Sequence, residues 1–259
     1  MTTPFDEAID YIKTVRYHNQ RKENHSDTVS KGVYRDLLGI CRPLRDDVHA
    51  GLVRAWYNVR APGGRKRKAD LFIGEATASG KPDIQKLRIA LENKSVVTAH
   101  RNRTNRYSDL NDTMEAIYHV RSEAVMVATV LVGLAQRVLN VPDRVHINYR
   151  GRESEFVSNV QPRLSSGDQT LWDEFPLAIS VNRPNDPHTT VQRLRGLPTR
   201  PTGHTHVMGY DFVLLVPVFI DNVNPPSLPR PNALGIDVDH DYKKMLEQMC
   251  AAYTARWHM

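Results

Sequence analysis

Cysteine is scarce in this chain, whose 259 residues include two, Cys41 and Cys250. A disulfide-rich secreted scaffold and a four-cysteine zinc site both require more thiols than this. Because the two cysteines lie far apart in the sequence, we expect no disulfide framework and a reducing compartment. The scarcity of cysteine therefore favours a cytoplasmic protein.

The sequence also lacks an uninterrupted apolar run of membrane-spanning length. Its longest apolar stretch, from Ala124 to Ala135, is interrupted by Gly133 and is too short to cross a bilayer. The N-terminal segment MTTPFDEAIDYIK carries acidic residues where a signal peptide has a continuous apolar core. We therefore expect neither a secretory signal nor a membrane partner.

An excess of acidic residues is absent as well: Lys and Arg number 35 against 29 Asp and Glu, and the formal net charge is +6. A basic balance suits a polyanionic partner such as nucleic acid, although it also fits plain solubility. With 40% hydrophobic and 25% charged residues, the composition is that of an ordinary globular protein. The length is enough for one large domain, or for a core domain with elaborations.

Apolar periodicity predicts an alternation of helices and strands in the first half of the chain. Helical spacing predicts one helix over residues 3–16 and a second that begins near Ser26 or Asp27 and ends at Pro43. The elements that follow are predicted to be strands over 52–60, 69–75 and 86–94, a helix over 106–121 and a buried strand over 124–133. This order predicts an α/β fold with mixed strand directions.

The chain changes character after residue 140, where polar and proline-rich segments dominate. Two apolar runs, 175–181 and 211–220, predict strands, and helical spacing predicts a final helix over 240–256. We expect a core over residues 1–140 that includes the N-terminal helices. Residues 141–259 are expected to form a β-rich elaboration with a C-terminal helix, packed on the same core.

One short frame carries candidate chemistry: residues 81–94 read KPDIQKLRIALENK, with Pro82-Asp83 followed by Glu92-Asn93-Lys94. Side chains alternate along a strand, so Glu92 and Lys94 share one face. A hairpin would bring the Asp83 carboxylate beside Glu92. Two carboxylates suit Mg²⁺, and Lys94 would hold or activate an attacking water or stabilise a phosphate. Taken separately these are a common charge pair and a common turn, but their combination at the end of an apolar strand favours catalysis.

This frame and its surroundings resemble the PD-(D/E)XK nuclease superfamily. The residues that match are Pro82-Asp83 and Glu92-Asn93-Lys94. The resemblance covers about residues 27–135, where the predicted order of elements fits the αβββαβ core of the superfamily. It implies an α/β, restriction-endonuclease-like mixed-sheet core.

The resemblance also implies Mg²⁺-dependent phosphodiester hydrolysis carried by three side chains. Asp83 and Glu92 would ligate the metal, and Lys94 would position the nucleophile and offset developing charge. The gap between Asp83 and Glu92 is short for the family. Asp70 or Glu75, on the preceding predicted strand, therefore remains an alternative to Asp83.

Within the superfamily, a chain of this size looks most like a type II restriction endonuclease. That implies double-stranded DNA as the substrate and a homodimer whose two-fold symmetry matches a palindromic site. Sequence reading would come from the second half of the chain, where Arg193, Arg195 and Arg200 are candidates for a recognition loop. Because the same fold serves other pathways, a repair or RNA nuclease and a non-catalytic nucleic-acid-binding protein are the alternatives.

A basic segment follows the motif: residues 100–106 read HRNRTNR. Arg101, Arg103 and Arg106 stand between the motif strand and the next helix, with Asn102 among them. Arginine forks suit phosphate oxygens, and asparagine bonds to bases or sugars. We expect these four residues to bind DNA, with a solvated basic loop as the plain alternative.

Two other polar clusters give weaker indications of a metal site. His204 and His206 would make a hydrolase of another class if they bound zinc, but zinc needs three or four ligands, and an ordinary polar loop is favoured. Asp237, Asp239 and Asp241 lack the glycine and the distal glutamate of a calcium loop. We expect this aspartate cluster to cap the C-terminal helix.

Overall fold

The computed structural model describes residues 2–15, 24–60, 68–97, 100–140, 178–229 and 233–258, and scattered residues between 152 and 170. The helices are α1 (Pro4–Val15), α2 (Asn24–Ile40), α3 (Arg42–His49), α4 (Arg103–Val120), α5 (Asp186–Arg195) and α6 (Val238–Trp257). The strands are β1 (Arg54–Arg60), β2 (Lys68–Ala76), β3 (Pro82–Val96), β4 (Val125–Gly133), β5 (Arg137–Asn140), β6 (Ala178–Val181) and β7 (Phe212–Val218).

The main sheet has five strands in the order β1-β2-β3-β4-β7. β2 is antiparallel to both of its neighbours, β1 and β3, whereas β3, β4 and β7 run parallel to one another. The parallel step from β3 to β4 is made through α4, as a parallel pair requires a long crossover. The predicted α/β class with mixed strand directions is therefore confirmed.

Helices cover both faces of this sheet, which explains the continuous apolar sequence of its central strand β4. Every residue of β4, VMVATVLVG, is buried, as expected for a parallel strand with two covered faces. On one face, helices α1, α2, α3 and α6 pack against alternate strand residues such as Leu71 and Leu91. On the other face, α4 and α5 pack against the intervening residues, including Phe72 and Ala90.

The hairpin between β2 and β3 is irregular. Its turn lies at residues 77–81, where the Thr77 amide donates to the Lys81 carbonyl at 2.8 Å and Gly80 adopts a φ of 78°. The register then shifts twice, between Ala76 and Gly74 and between Gly74 and Ile73. These β-bulges put extra residues into β3, which runs from Pro82 instead of the predicted residue 86.

The described residues beyond 177 add both strands and helices to the fold. Apolar β7 pairs in parallel with β4 and completes the main sheet, so the sheet is not confined to residues 1–140. β5 and β6 form a separate antiparallel pair. The described residues beyond 177 also contain α5, which was not predicted, and the predicted C-terminal helix, α6. The strand predicted over 211–220 thus corresponds to apolar β7, which lies beside β4 in the main sheet.

Cys41 and Cys250 form a disulfide, with their Cα atoms 5.2 Å apart. The bond joins the junction of α2 and α3 to α6, so the expectation drawn from their separation in sequence is wrong. Packing of α6 against α2 and α3 brings the two thiols together.

Among the described residues, no helix has both the length and the apolar character needed to cross a membrane.

Candidate active site

Asp70 on β2 and Glu92 on β3 face each other across the central hairpin. The antiparallel register pairs Leu71 with Leu91 and Phe72 with Ala90, and one further step places Asp70 opposite Glu92. Residues directly opposite on neighbouring antiparallel strands share a face and have Cβ atoms about 4.5–5.5 Å apart. The two carboxylates therefore lie close together just beyond the last paired residues of β2 and β3, near enough for the charge of Asp70 to raise the pKa of Glu92.

Lys94 completes this cluster because it lies two residues beyond Glu92 on the same strand face. Its Nζ atom lies 2.6 Å from Glu92 Oε1. The Glu92 side chain is 3% exposed and that of Lys94 is 20% exposed, so the ammonium lies between the buried carboxylate and solvent. Asp70, Glu92 and Lys94 thus form one group, which we call the cluster.

The Glu92 carboxylate is short of hydrogen bonds. Apart from the ion pair with Lys94, neither of its oxygens has a hydrogen-bond partner among the described residues. Thr113 lies beside it, but the Thr113 hydroxyl donates to the Asp109 carbonyl at 3.0 Å. Burial, with a smaller contribution from the charge of Asp70, raises the pKa of Glu92 to about 7 against the opposing attraction of Lys94. A buried carboxylate with unused lone pairs is a site at which a cation is stabilised.

The Asp70 carboxylate, by contrast, is held on more than one side. The backbone amide of Asn93 donates to Asp70 Oδ2 at 2.6 Å, and Ser26 at the start of α2 makes a side-chain hydrogen bond to it. Burial raises the pKa of Asp70, whereas these hydrogen bonds and the charge of Lys94 lower it. The hydrogen bonds limit rotation of the carboxylate and leave it facing Glu92.

No family model, curated protein or solved structure matches this chain. What the cluster does must therefore be inferred from its own geometry and from the residues that surround it.

Asp83 lies at the start of β3, nine residues before Glu92 on the same strand. At about 3.3 Å per residue, this separation is roughly 25–30 Å. The Asp83 side chain accepts a hydrogen bond from the Gln85 amide at 3.1 Å. The predicted approach of Asp83 to Glu92 is wrong, because the hairpin turn ends at residue 81 and both acids belong to the same arm.

Glu75 also lies near the turn end of the hairpin. It forms ion pairs with Lys86 at 2.9 Å and with Arg88 at 3.3 Å, which lower the pKa of its carboxyl. Of the three acids considered as partners for Glu92, Asp70 is the one that the fold places opposite it. The alternative residue, and not the preferred one, therefore belongs to the cluster.

The basic segment leads from the end of β3 into α4, near the end of the sheet that carries Lys94. Arg101 and Asn102 are exposed. Arg103 pairs with Asp186 at 3.4 Å, and Arg106 pairs with Asp109 at 2.9 Å. DNA binding by these four residues stays a prediction, but two of the arginines are already engaged within the protein.

The remaining sequence candidates have structural surroundings that account for them. Arg200 is buried and ion-paired with Asp211, which Arg256 also contacts, so Arg200 does not belong to an exposed recognition loop. The ring centroids of His204 and His206 are 5.5 Å apart. Across the described part of the chain, however, no group of three or more His, Cys, Asp or Glu residues could hold a metal ion.

Asp237 caps α6, as predicted: its side chain accepts from the His240 amide at 3.1 Å. Arg193 lies over the Tyr107 ring, with 4.1 Å between the guanidinium carbon and the ring centroid. Sequence reasoning missed the polar residues of α2 that reach the cluster. Ser26 was predicted only to lie near the start of the second helix, and no local pattern signals that this helix begins beside Asp70.

Proposed function

We propose that this protein is a Mg²⁺-dependent endonuclease that hydrolyses phosphodiester bonds in double-stranded DNA, with Asp70, Glu92 and Lys94 as its catalytic residues. The observation that carries the proposal is the opposition of Asp70 and Glu92 on neighbouring strands, with Lys94 Nζ 2.6 Å from Glu92. Asp70 takes the role that the sequence motif had suggested for Asp83.

The surrounding architecture supports the proposal. Apart from the short helix α3 between α2 and β1, the order of α2, β1, β2, β3, α4 and β4 follows the αβββαβ arrangement that the resemblance to PD-(D/E)XK nucleases implies. The cluster lies on the two central antiparallel strands, β2 and β3, where the motif of those nucleases would require it. A restriction-endonuclease-like core is therefore part of the proposal.

The residues present suit Mg²⁺. Mg²⁺ is commonly held by one or two carboxylates and keeps its other positions for water and substrate phosphate. Asp70 and Glu92 supply two carboxylates, and apart from the ion pair with Lys94 the Glu92 oxygens lack hydrogen-bond partners among the described residues. When bound, the ion would supply charge stabilisation at the scissile phosphate and a lowered pKa for bound water.

Lys94 supplies the remaining charge of the cluster. Its ammonium is partly exposed and is ion-paired with Glu92, so it can reach a phosphate oxygen or an attacking water without leaving the carboxylate. Fixed positive charge where negative charge develops is a strong source of catalysis. Arg101 and Asn102, exposed at the start of α4, are placed to bind the DNA backbone near this charge.

The proposed homodimer and its palindromic cut site follow from the symmetry of the substrate. Duplex DNA has a two-fold symmetric backbone, and a symmetric homodimer cuts both strands of a palindromic site with two copies of one cluster. Sequence-specific restriction by such a dimer is the role that we propose. Cleavage of RNA or of damaged DNA by the same cluster would place the protein in a different pathway.

A plasmid assay with matched variants tests the proposal. Supercoiled DNA is incubated with the wild type, Asp70→Asn and Asp83→Asn, each with Mg²⁺, with Ca²⁺ and with a chelator. We expect cleavage by the wild type and Asp83→Asn in Mg²⁺ alone, and none by Asp70→Asn. Full activity in Asp70→Asn would overturn the assignment of Asp70. Cutting in the presence of the chelator would overturn the metal-dependent mechanism. Binding without cutting by the wild type would favour a non-catalytic DNA-binding protein.

A further inference from the structure

Asn93 lies between Glu92 and Lys94 in the sequence, but its side chain points to the other face of the sheet. There its Nδ2 atom contacts two serines of α2: Ser26 Oγ at 3.1 Å and Ser30 Oγ at 2.9 Å. It also donates to the Ser26 carbonyl oxygen at 3.2 Å. The residue in the middle of the motif therefore binds the start of α2 to β3.

Thr129 on β4 sets the orientation of this amide. The Thr129 hydroxyl donates to Asn93 Oδ1 at 2.6 Å, and the parallel register pairs the two residues directly. Because the amide oxygen accepts from β4, the NH₂ group is directed at α2. The position of Ser26 is thus determined by the strand that carries Glu92 and Lys94.

Ser26 in turn contacts Asp70. Its side chain hydrogen-bonds the Asp70 carboxylate, whose Oδ2 also accepts from the Asn93 backbone amide at 2.6 Å. The two contacts come from different elements, α2 and β3. Asp27, the next residue along α2, repels Asp70 and is itself bound by Asn58 Nδ2 at 2.9 Å. Without the Ser26 hydroxyl, the Asp70 carboxylate would be held by the amide alone beside two like charges.

From this chain of contacts we infer that Ser26, held in place by Asn93, is a positioning residue that orients the Asp70 carboxylate for binding of a divalent cation. The inference rests on the proposed function in taking Asp70 as a metal ligand. Ser26 does not itself contact the cation or the substrate. Groups that orient a metal ligand commonly change metal affinity by about 10–100-fold when they are removed.

Ser30 provides a matched control. Ser26 and Ser30 lie one helical turn apart on α2, and both hydroxyls contact the same Asn93 nitrogen, but Asp70 is hydrogen-bonded by Ser26. The affinity of the full chain for Ca²⁺ is measured by calorimetry for the wild type, Ser26→Ala and Ser30→Ala. The concentration of Mg²⁺ that gives half-maximal plasmid cleavage is measured for the same three proteins.

We expect Ser26→Ala to bind Ca²⁺ about 10-fold more weakly and to need correspondingly more Mg²⁺, with little change in the rate at saturating Mg²⁺. Ser30→Ala should remain within about twofold of the wild type in Ca²⁺ affinity, because its loss leaves the Ser26 contact intact. Equal Ca²⁺ affinity in Ser26→Ala and the wild type overturns the positioning role, whatever the cleavage result.

A second pair of variants tests the same role if Ser26→Ala does not fold. Ser26→Thr retains a hydroxyl, and Ser26→Val has nearly the same shape without one. Wild-type affinity in Ser26→Thr with weakened affinity in Ser26→Val supports the inference, and equal affinities in the two overturn it. Weakened Ca²⁺ binding in a protein that cuts no nucleic acid would retain the positioning role and reject the endonuclease. A wild type that binds no cation would reject both.

Discussion

Asp70 and Glu92 lie opposite each other on β2 and β3, although 21 residues and an irregular hairpin separate them in the sequence. Two carboxylates side by side on a buried face repel each other, and each takes a raised pKa that reflects its burial. Lys94 offsets part of this repulsion. A divalent cation would offset the rest.

Divalent cations should stabilise the wild type against heat. Binding to the folded state alone raises the free energy of unfolding, by about 2.7 kcal/mol at a cation concentration 100 times the Kd. We expect Mg²⁺ and Ca²⁺ to raise the Tm of the wild type and of Asp83→Asn, but not of Asp70→Asn. Thermal unfolding with and without cation measures this. An equal increase in Asp70→Asn would place the binding site elsewhere.

Lys94→Met should remove cleavage and retain DNA binding. We expect a loss of at least about 100-fold in rate, because the charge acts at the reacting phosphate. Loss of the ion partner of Glu92 should also lower the free energy of unfolding by about 1–3 kcal/mol. Plasmid nicking, DNA binding in Ca²⁺ and thermal unfolding are compared with Lys86→Met, a change in an exposed lysine of the same strand. Wild-type turnover in Lys94→Met would exclude the assigned role.

Arg101 should contribute to DNA affinity on every sequence. It is exposed in the segment between β3 and α4, whereas Arg103 and Arg106 are ion-paired with Asp186 and Asp109. Loss of one phosphate contact should reduce the salt slope of binding by roughly one unit. We therefore expect the largest effect from Arg101→Ala, measured on several duplexes across a salt series.

Lys81, exposed in the β2–β3 turn at the far end of β3, provides the control for this series. Lys81→Ala should leave affinity and salt slope unchanged. If all three arginine variants behave like Lys81→Ala, the DNA lies on another surface. An arginine whose loss relaxes one position of the cut site would instead contact a base.

Buried His100 should make the protein less stable in acid. Its Nε2 donates to the Gly133 carbonyl at 2.8 Å, so Nδ1 accepts from the Thr190 hydroxyl at 2.6 Å, and burial lowers the pKa of the imidazole. The unfolded chain, with a histidine pKa near 6.5, binds the proton first as the pH falls. The contribution of His100 to the free energy of unfolding is therefore complete above about pH 6.5. Below that pH it decreases by at most about 1.4 kcal/mol per pH unit.

Unfolding by denaturant between pH 7.5 and 5 measures this effect. The decrease should be smaller in His100→Gln than in the wild type, whereas His188→Gln, which changes an exposed histidine on α5, should follow the wild type. Identical pH dependence in all three proteins would mean that the His100 environment does not favour the neutral ring.

The Cys41–Cys250 disulfide should stabilise the fold. It links α2 to α6 across a separation of 209 residues, and a disulfide that closes a long loop commonly contributes about 2–4 kcal/mol. We expect a reductant to lower the Tm of the wild type and to have no effect on Cys250→Ser. A wild-type Tm that does not respond to reductant would show that the two thiols are not bonded in solution.

The amino-acid sequence by itself determined the class of the fold and one part of the cluster. Period-3.6 and period-2 patterns are local, so the α/β order and most element positions could be predicted before any contact was known. Strand alternation is equally local, and it placed Glu92 and Lys94 on one face. The ion pair between them required no long-range information.

Tertiary structure alone decided which acid faces Glu92. Ala76 pairs with Pro82 close to the turn. A ladder that continued regularly for ten residues from this pair would place Lys66 opposite Glu92. Two bulges shift the register and bring Asp70 there. One is centred on Gly74, where a Cβ would lie 2.6 Å from the Lys86 carbonyl oxygen.

The contacts of Ser26, Asn93 and the two cysteines were decided in the same way. Each joins segments that are distant in sequence, and each depends on how a helix is placed against the sheet. Local patterns carry no information about that placement, because many packings bury the same apolar faces equally well. Register and helix position, which only the packed core selects, therefore determine the cluster that the motif by itself left incomplete.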